Sequence, residues 1–67
     1  MKILLNNRDE YVEQESLTIN ELLILKKLSF KMRIIKINGT LINKDSYDNT
    51  FIKNGDNVQI LYLMSGG

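Results

Sequence analysis

The sequence predicts an α+β fold, a mixed β-sheet of four to five strands crossed by one helix. Three observations predict it. Thr18-Ile19-Asn20-Glu21 sets a threonine and a glutamate at capping-box spacing, and Ile19, Leu22, Leu25 and Leu28, with Leu23 beside them, follow as an apolar stripe of helical period. Asn38-Gly39 is a strong turn signal between two apolar stretches. Residues 57–63 alternate Val58, Ile60 and Tyr62 against Gln59, Leu61 and Leu63, the period of a half-buried strand.

In chain order, residues 2–5 read as a strand with Ile3 and Leu5 on one face. Asn6-Asn7-Arg8-Asp9 supplies turn chemistry, because Asn and Asp tolerate left-handed backbone. Residues 10–13 then return as a second strand. The helix starts at the Thr18 cap, where side chain and backbone satisfy each other's orphan N–H groups. It ends with Lys26 and Lys27 in its last turn, where the helix dipole favours cations. Residues 33–38 form a third strand, 41–42 a short one, and 43–46 a single helical turn before Tyr47. Residues 50–52 are extended, Lys53-Asn54-Gly55-Asp56 turns, and 57–63 is the last strand. A hairpin, a crossing helix and later strands in a thin two-layer domain match a β-grasp, with first and last strands adjacent and parallel at the centre. One domain is expected over residues 1–63, followed by a flexible tail at 64–67.

Composition narrows the function. The 67 residues include no cysteine and no histidine, which removes thiol chemistry, zinc-finger spacing and the commonest general base. Four Asp and four Glu remain, with no grouping at metal-site spacing, so no metal is expected. The net charge of +1 argues against a dedicated nucleic-acid binder. Apolar runs such as Leu22-Leu23-Ile24-Leu25 are far short of the ~20 residues that span a bilayer, and the first residues lack a signal-peptide pattern. A cytoplasmic protein without a membrane partner is the expectation. No P-loop and no GxGxxG is present, so no nucleotide or other cofactor is expected to bind this chain.

The feature that packing does not explain is the terminal Gly66-Gly67 pair, directly after the last strand. A side-chain-free tail can thread a narrow channel and bring the α-carboxylate of Gly67 into another protein's active site. A carboxylate is a poor electrophile. Activation by ATP as an acyl-adenylate is the simplest route to attack by sulfur or an amine, and a partner enzyme must supply it. The chain itself is expected to be no enzyme.

Four segments together resemble the ThiS family, the ubiquitin-like sulfur carriers of thiamine biosynthesis. They are Thr18-Ile19-Asn20-Glu21-Leu22-Leu23, Ile37-Asn38-Gly39-Thr40-Leu41-Ile42, Asn54-Gly55-Asp56-Asn57-Val58 and Gly66-Gly67. The chain departs from the family pattern at Asn43, where a proline is usual, at Lys44 for arginine and at Tyr47 for tryptophan. The resemblance implies that an E1-like, ThiF-like adenylyltransferase adenylates Gly67 with ATP. Sulfur from a persulfide relay, such as a cysteine desulfurase, then replaces AMP. The thiocarboxylate passes its sulfur to a ThiG-like thiazole synthase. Carriers for molybdopterin synthesis or tRNA thiolation, a covalent protein modifier and a plain β-grasp interaction module are the alternatives.

Met64, Ser65 and Gly66 are expected to enter the partner's active site behind Gly67. By the two-residue period, Gln59, Leu61 and Leu63 fall opposite the core and are the expected docking face. Val58 and Ile60 face the helix with Ile3, Leu5, Leu22 and Ile35 or Ile37. Tyr47 and Phe51 are expected as satellite core, Asp56 as a turn former, and Lys26, Lys27, Lys31 and Arg33 as a solvated basic stretch.

Overall fold

The computed structural model describes residues 1–28 and 33–62. Its elements are β1 (Lys2–Leu5), β2 (Arg8–Tyr11), β3 (Ser16–Thr18), α1 (Ile19–Leu25), β4 (Arg33–Ile37), β5 (Thr40–Ile42), a 3₁₀ turn (Lys44–Ser46), β6 (Phe51–Lys53) and β7 (Asn57–Tyr62). Five strands form one mixed sheet in the order β2-β1-β7-β4-β5, and β3 pairs with β6 in a second, two-stranded sheet. β1 and β7 run parallel at the centre, and the other pairs are antiparallel. This is the β-grasp topology. The expectations for Leu63, Met64, Ser65, Gly66, Gly67 and Lys31 lie outside the described residues.

The helix begins where its sequence says it should. Thr18 Oγ1 accepts the Glu21 N–H at 3.1 Å and Glu21 Oε1 accepts the Thr18 N–H at 2.8 Å, closing the capping box. Two further donors at this end go to the loop before β6: Ile19 N–H to the Thr50 carbonyl at 3.1 Å and Asn20 N–H to that of Tyr47 at 3.3 Å. The helix is shorter than its apolar stripe predicts. It ends at Leu25, with Lys26 as C-cap and Lys27 at φ +57°. Lys27 N–H then reaches the Ile24 carbonyl and Leu28 N–H the Leu23 carbonyl, the paired bonds of a Schellman ending. Lys26 and Lys27 therefore lie just past the last turn, and Lys26 Nζ meets Glu10 Oε2 at 2.8 Å. Leu25, on the expected apolar stripe, is 46% exposed, whereas Leu28 packs against the core because the reversal folds it back.

Ile19, Leu22 and Leu23 pack with Ile3, Leu17, Ile35, Tyr47, Ile52, Val58 and Ile60 in one buried cluster. Leu5, Ile37 and Ile42 are half-buried against it. Three further expectations need correction. The second strand starts two residues early, at Arg8, because Asn6 and Asn7 alone make the turn, at φ +51° and +67°. Residues 16–18 form a strand that their polar context concealed. Phe51 is exposed: Leu17 and Ile52 are the inward pair of β3 and β6, so the period of two turns Phe51 outward. Tyr47 is core as expected, with the Arg33 guanidinium 5.6 Å from its ring centroid.

Left-handed backbone costs a non-glycine residue ~1–2 kcal/mol. Lys27 carries that cost in a position where glycine is the usual occupant. Lys27→Gly is therefore expected to raise unfolding stability by about 0.5–1 kcal/mol, after allowing for glycine's greater freedom in the unfolded chain. Urea unfolding monitored by circular dichroism checks it. A loss of stability would show that the lysine side chain contributes more than its backbone costs.

Candidate functional site

The site is built on β7, the strand that leads to the C-terminus. Its entry end is fixed by two turns that lie far apart in sequence. Asn38-Gly39 turns with both residues at positive φ, +51° and +83°, and Gly55 sits at φ +88°, a region open to glycine at little cost. Asp56 joins them. Its Oδ2 accepts the Lys53 N–H at 2.8 Å, and its Oδ1 accepts Asn38 Nδ2 at 3.0 Å. Asn38 Oδ1 accepts the Asn57 N–H at 2.8 Å, and Asn38 N–H donates to the Asn57 carbonyl at 2.8 Å. Lys2 N–H reaches Asn54 Oδ1 at 2.8 Å, and Gly55 N–H reaches the Lys2 carbonyl at 2.7 Å. Asp56 is thus a turn former, as its sequence context predicts, and it also clamps a second turn.

Along its length β7 is held on both edges. On one side β4 supplies an antiparallel ladder from Ile37↔Val58 to Arg33↔Tyr62. On the other, Leu4 N–H donates to the Asp56 carbonyl and Asn6 N–H to that of Val58, both at 2.9 Å. There β1 turns away at Asn6, but its side chain continues the ladder: Ile60 N–H donates to Asn6 Oδ1 at 2.8 Å. A side-chain carbonyl replaces the backbone acceptor that the turn removes.

The two faces of β7 differ. Val58 and Ile60 are buried under the helix. Gln59 is half-buried and Leu61 is 48% exposed on the opposite face. Cross-strand pairing places Ile34 beside Leu61, and Lys36 beside both Gln59 and Leu41. Leu4 follows on β1, so Leu4, Ile34, Leu41 and Leu61 lie on one outer face. The structure therefore places two of the expected docking residues, Gln59 and Leu61, together on an outward face; Leu63 and the tail residues fall outside the described residues. Sequence reading missed Ile34, Leu41 and Leu4. The alternation of Arg33-Ile34-Ile35-Lys36-Ile37 carries the signal for Ile34 once Ile35 is assigned inward.

The described residues hold no group of three or more metal-ligating side chains and no helix long and apolar enough to cross a membrane. A five-stranded mixed sheet with β1 and β7 parallel inside it, packed against one helix, defines a ubiquitin-like β-grasp domain. The comparisons make the class specific: the family model of the ThiS family matches residues 2–67, and the chain belongs to that family. It is similar to the crystal structure of a thiamine biosynthesis protein (ThiS) from Geobacter metallireducens, at 33% identity and a TM-score of 0.90, with all of both chains covered. The solution structure of a thiamine biosynthesis protein from the same organism matches at 33% identity and a TM-score of 0.82, covering all of this chain and 88% of that one. No curated protein sequence matches.

The Asn6 contact is separable from its turn. Asn6→Gly keeps the left-handed backbone but removes the acceptor for Ile60 N–H, and is expected to cost about 1–3 kcal/mol. Asn7→Gly, in the same turn with the same sign of φ, should stay within ~0.5 kcal/mol of the native chain. Equal effects of the two in chemical unfolding would remove the side chain's role in the ladder.

Proposed function

We propose that this chain is a sulfur carrier of thiamine biosynthesis whose reacting group is the carboxylate of Gly67. The observation that carries this reading is the family match, which runs through the terminal Gly66-Gly67. Two features of the fold support it. Residues 63–67 follow in sequence a strand fixed on both edges, and that strand borders an apolar face that a partner could cover.

A partner adenylyltransferase attaches the Gly67 carboxylate to the α-phosphate of ATP, forming an acyl-adenylate and releasing pyrophosphate. A sulfur nucleophile then attacks the activated carbonyl and AMP leaves. Hydrosulfide gives the thiocarboxylate directly. A protein persulfide gives an acyl disulfide, which a second thiol cleaves to the thiocarboxylate while forming a disulfide with the donor. The sulfur is finally delivered to a thiazole synthase. The carrier's own share is positional. Met64, Ser65 and Gly66 span the channel to the reacting centre, and Gln59, Leu61 and Leu63 with Ile34 hold the domain against the enzyme. ATP is consumed by the partner and none binds here. The cytoplasm, where ATP and reduced sulfur are both supplied, is the compartment this chemistry requires.

In-line attack tolerates little misplacement, since ~1 Å can cost ~100-fold in rate. Deleting Gly67 shortens the reach by ~3.3–3.6 Å. Intact-protein mass spectrometry after incubation with the activating enzyme, ATP and sulfide should show one oxygen-to-sulfur exchange on the native chain and none on the shortened one. Leu61→Asp should fold, because it changes a half-exposed side chain, yet be adenylated poorly. Thiocarboxylation of the Gly67-deleted chain would refute the terminal-carboxylate mechanism.

A further inference from the structure

The two turns that clamp the start of β7 each hold an asparagine followed by a glycine, Asn38-Gly39 and Asn54-Gly55. Of the eight asparagines in the chain, only these two precede glycine. The pairing suits a turn, but it also carries a chemical liability. The backbone nitrogen of the following residue can attack the asparagine side-chain carbonyl, and glycine has no side chain to block that approach. The space around Gly39 and Gly55 is open, since a Cβ built on either would meet nothing within 4 Å. Both asparagines are exposed, so water reaches them.

The two sites are restrained differently. At Asn54-Gly55 the attacking group is itself held: Gly55 N–H donates to the Lys2 carbonyl at 2.7 Å, and Asn54 Oδ1 accepts the Lys2 N–H at 2.8 Å. At Asn38-Gly39 the attacking group is loose, because Gly39 N–H makes no hydrogen bond among the described residues. There it is the target that is held. Asn38 Nδ2 donates to Asp56 Oδ1 at 3.0 Å, and Asn38 Oδ1 accepts the Asn57 N–H at 2.8 Å. The Asn38 backbone N–H donates to the Asn57 carbonyl, also at 2.8 Å. These bonds tie the amide carbon to the start of β7 and leave the nucleophile beside it unbonded.

We infer that Asn38 is a deamidation site held closed by the Asp56 carboxylate and the Asn57 N–H, and that the reaction destroys the clamp that delays it. Gly39 N loses its proton and attacks Asn38 Cγ. The new C–N bond forms, the bond to Nδ2 breaks, and ammonia leaves behind a five-membered cyclic imide. Water then opens the imide at either carbonyl, so one water is consumed for each ammonia released and nothing is oxidised or reduced. Opening at one carbonyl gives aspartate, and at the other isoaspartate, whose backbone runs through the former side chain. The aspartate sets an oxygen where Nδ2 donated, so two anionic acceptors face each other across 3.0 Å. The isoaspartate lengthens a two-residue turn between strands paired at Ile37↔Thr40. Either product releases the entry of β7 from the Asn38 turn. The inference stands apart from the sulfur-carrier reading.

The test is a double-mutant cycle on the full chain: Asn38→Asp, Asp56→Asn, and both together. Asn38→Asp reproduces the aspartate product. Asp56→Asn leaves one acceptor oxygen where two are used, so the Lys53 N–H and Asn38 Nδ2 compete for it. The combined variant reverses the pair: the new amide takes the Lys53 N–H on its oxygen and donates to the new carboxylate. In chemical unfolding both single variants are expected to be less stable than the native chain, and the combined variant to recover most of the loss. Deamidation is followed by mass spectrometry of the tryptic peptides 37–44 and 54–67, which separate the two sites. Labelling by an isoaspartate methyltransferase reports the isoaspartate. Asn38 should convert about tenfold or more slowly in the native chain than in guanidinium, the factor that ~1.4 kcal/mol of local opening gives. It should convert faster in Asp56→Asn than in the native chain. Equal rates in the native and unfolded chains, no rise in Asp56→Asn, or no conversion in guanidinium would overturn the inference. So would an Asn38→Asp variant as stable as the native chain, or a combined variant no more stable than Asn38→Asp. That last comparison keeps the test decisive even if Asp56→Asn alone unfolds.

Discussion

Strand β7 has a hydrogen-bonded neighbour on each edge, and the placement of the main sheet follows from it. β2 reaches the sheet only through β1, and β5 only through β4. The helix packs on the face that Val58 and Ile60 present. A parallel pairing between the first and last strands closes the largest loop the chain can make, so its entropic cost is high and its contacts form against that cost. The structure meets it with local devices. Asn38, Asn54 and Asp56 stitch the entry of β7, and Asn6 extends the ladder past the point where β1 ends.

This arrangement explains why short motifs far apart in sequence travel together in the chain. Ile37-Asn38-Gly39 and Asn54-Gly55-Asp56-Asn57 are two halves of one hydrogen-bonded clamp. Thr18-Ile19-Asn20-Glu21 performs the same service for the helix: Ile19 and Asn20 donate to the loop before β6, and the Asn20 amide also donates to Asp48 Oδ1. Each of these residues is engaged in holding a turn or a helix end. They fix β7, and the proposed reaction depends on where the residues that follow it in sequence are delivered.

Features set by local chemistry were legible in the sequence; those set by long-range pairing were less so. The capping box, the Asn-Gly turns and the alternation of β7 are local, and each appears where the residues place it. The helix end was hidden because its reversal uses Lys27 in a left-handed conformation that glycine would have announced. β3 was hidden because Leu17 is its only large apolar residue, and its strand character comes from pairing with β6. The same pairing turns Phe51 outward, which no pattern within residues 50–52 foretells. At the candidate site, Leu61 was legible from the period of two, while Ile34 and Leu41 joined it only through the register of β4 and β5.

The account depends most on β7 being the last element to come apart. Native-state hydrogen exchange measures this residue by residue, because amides in the most stable unit exchange only when the whole molecule unfolds. The amides of Val58, Gln59 and Ile60 are predicted to share the highest protection, with an opening free energy equal to that of global unfolding and the same dependence on denaturant. Ile60 belongs with them although its acceptor is the Asn6 side chain. Exchange of these amides through a local opening well below the global value, with β1 and β4 still protected, would contradict the account.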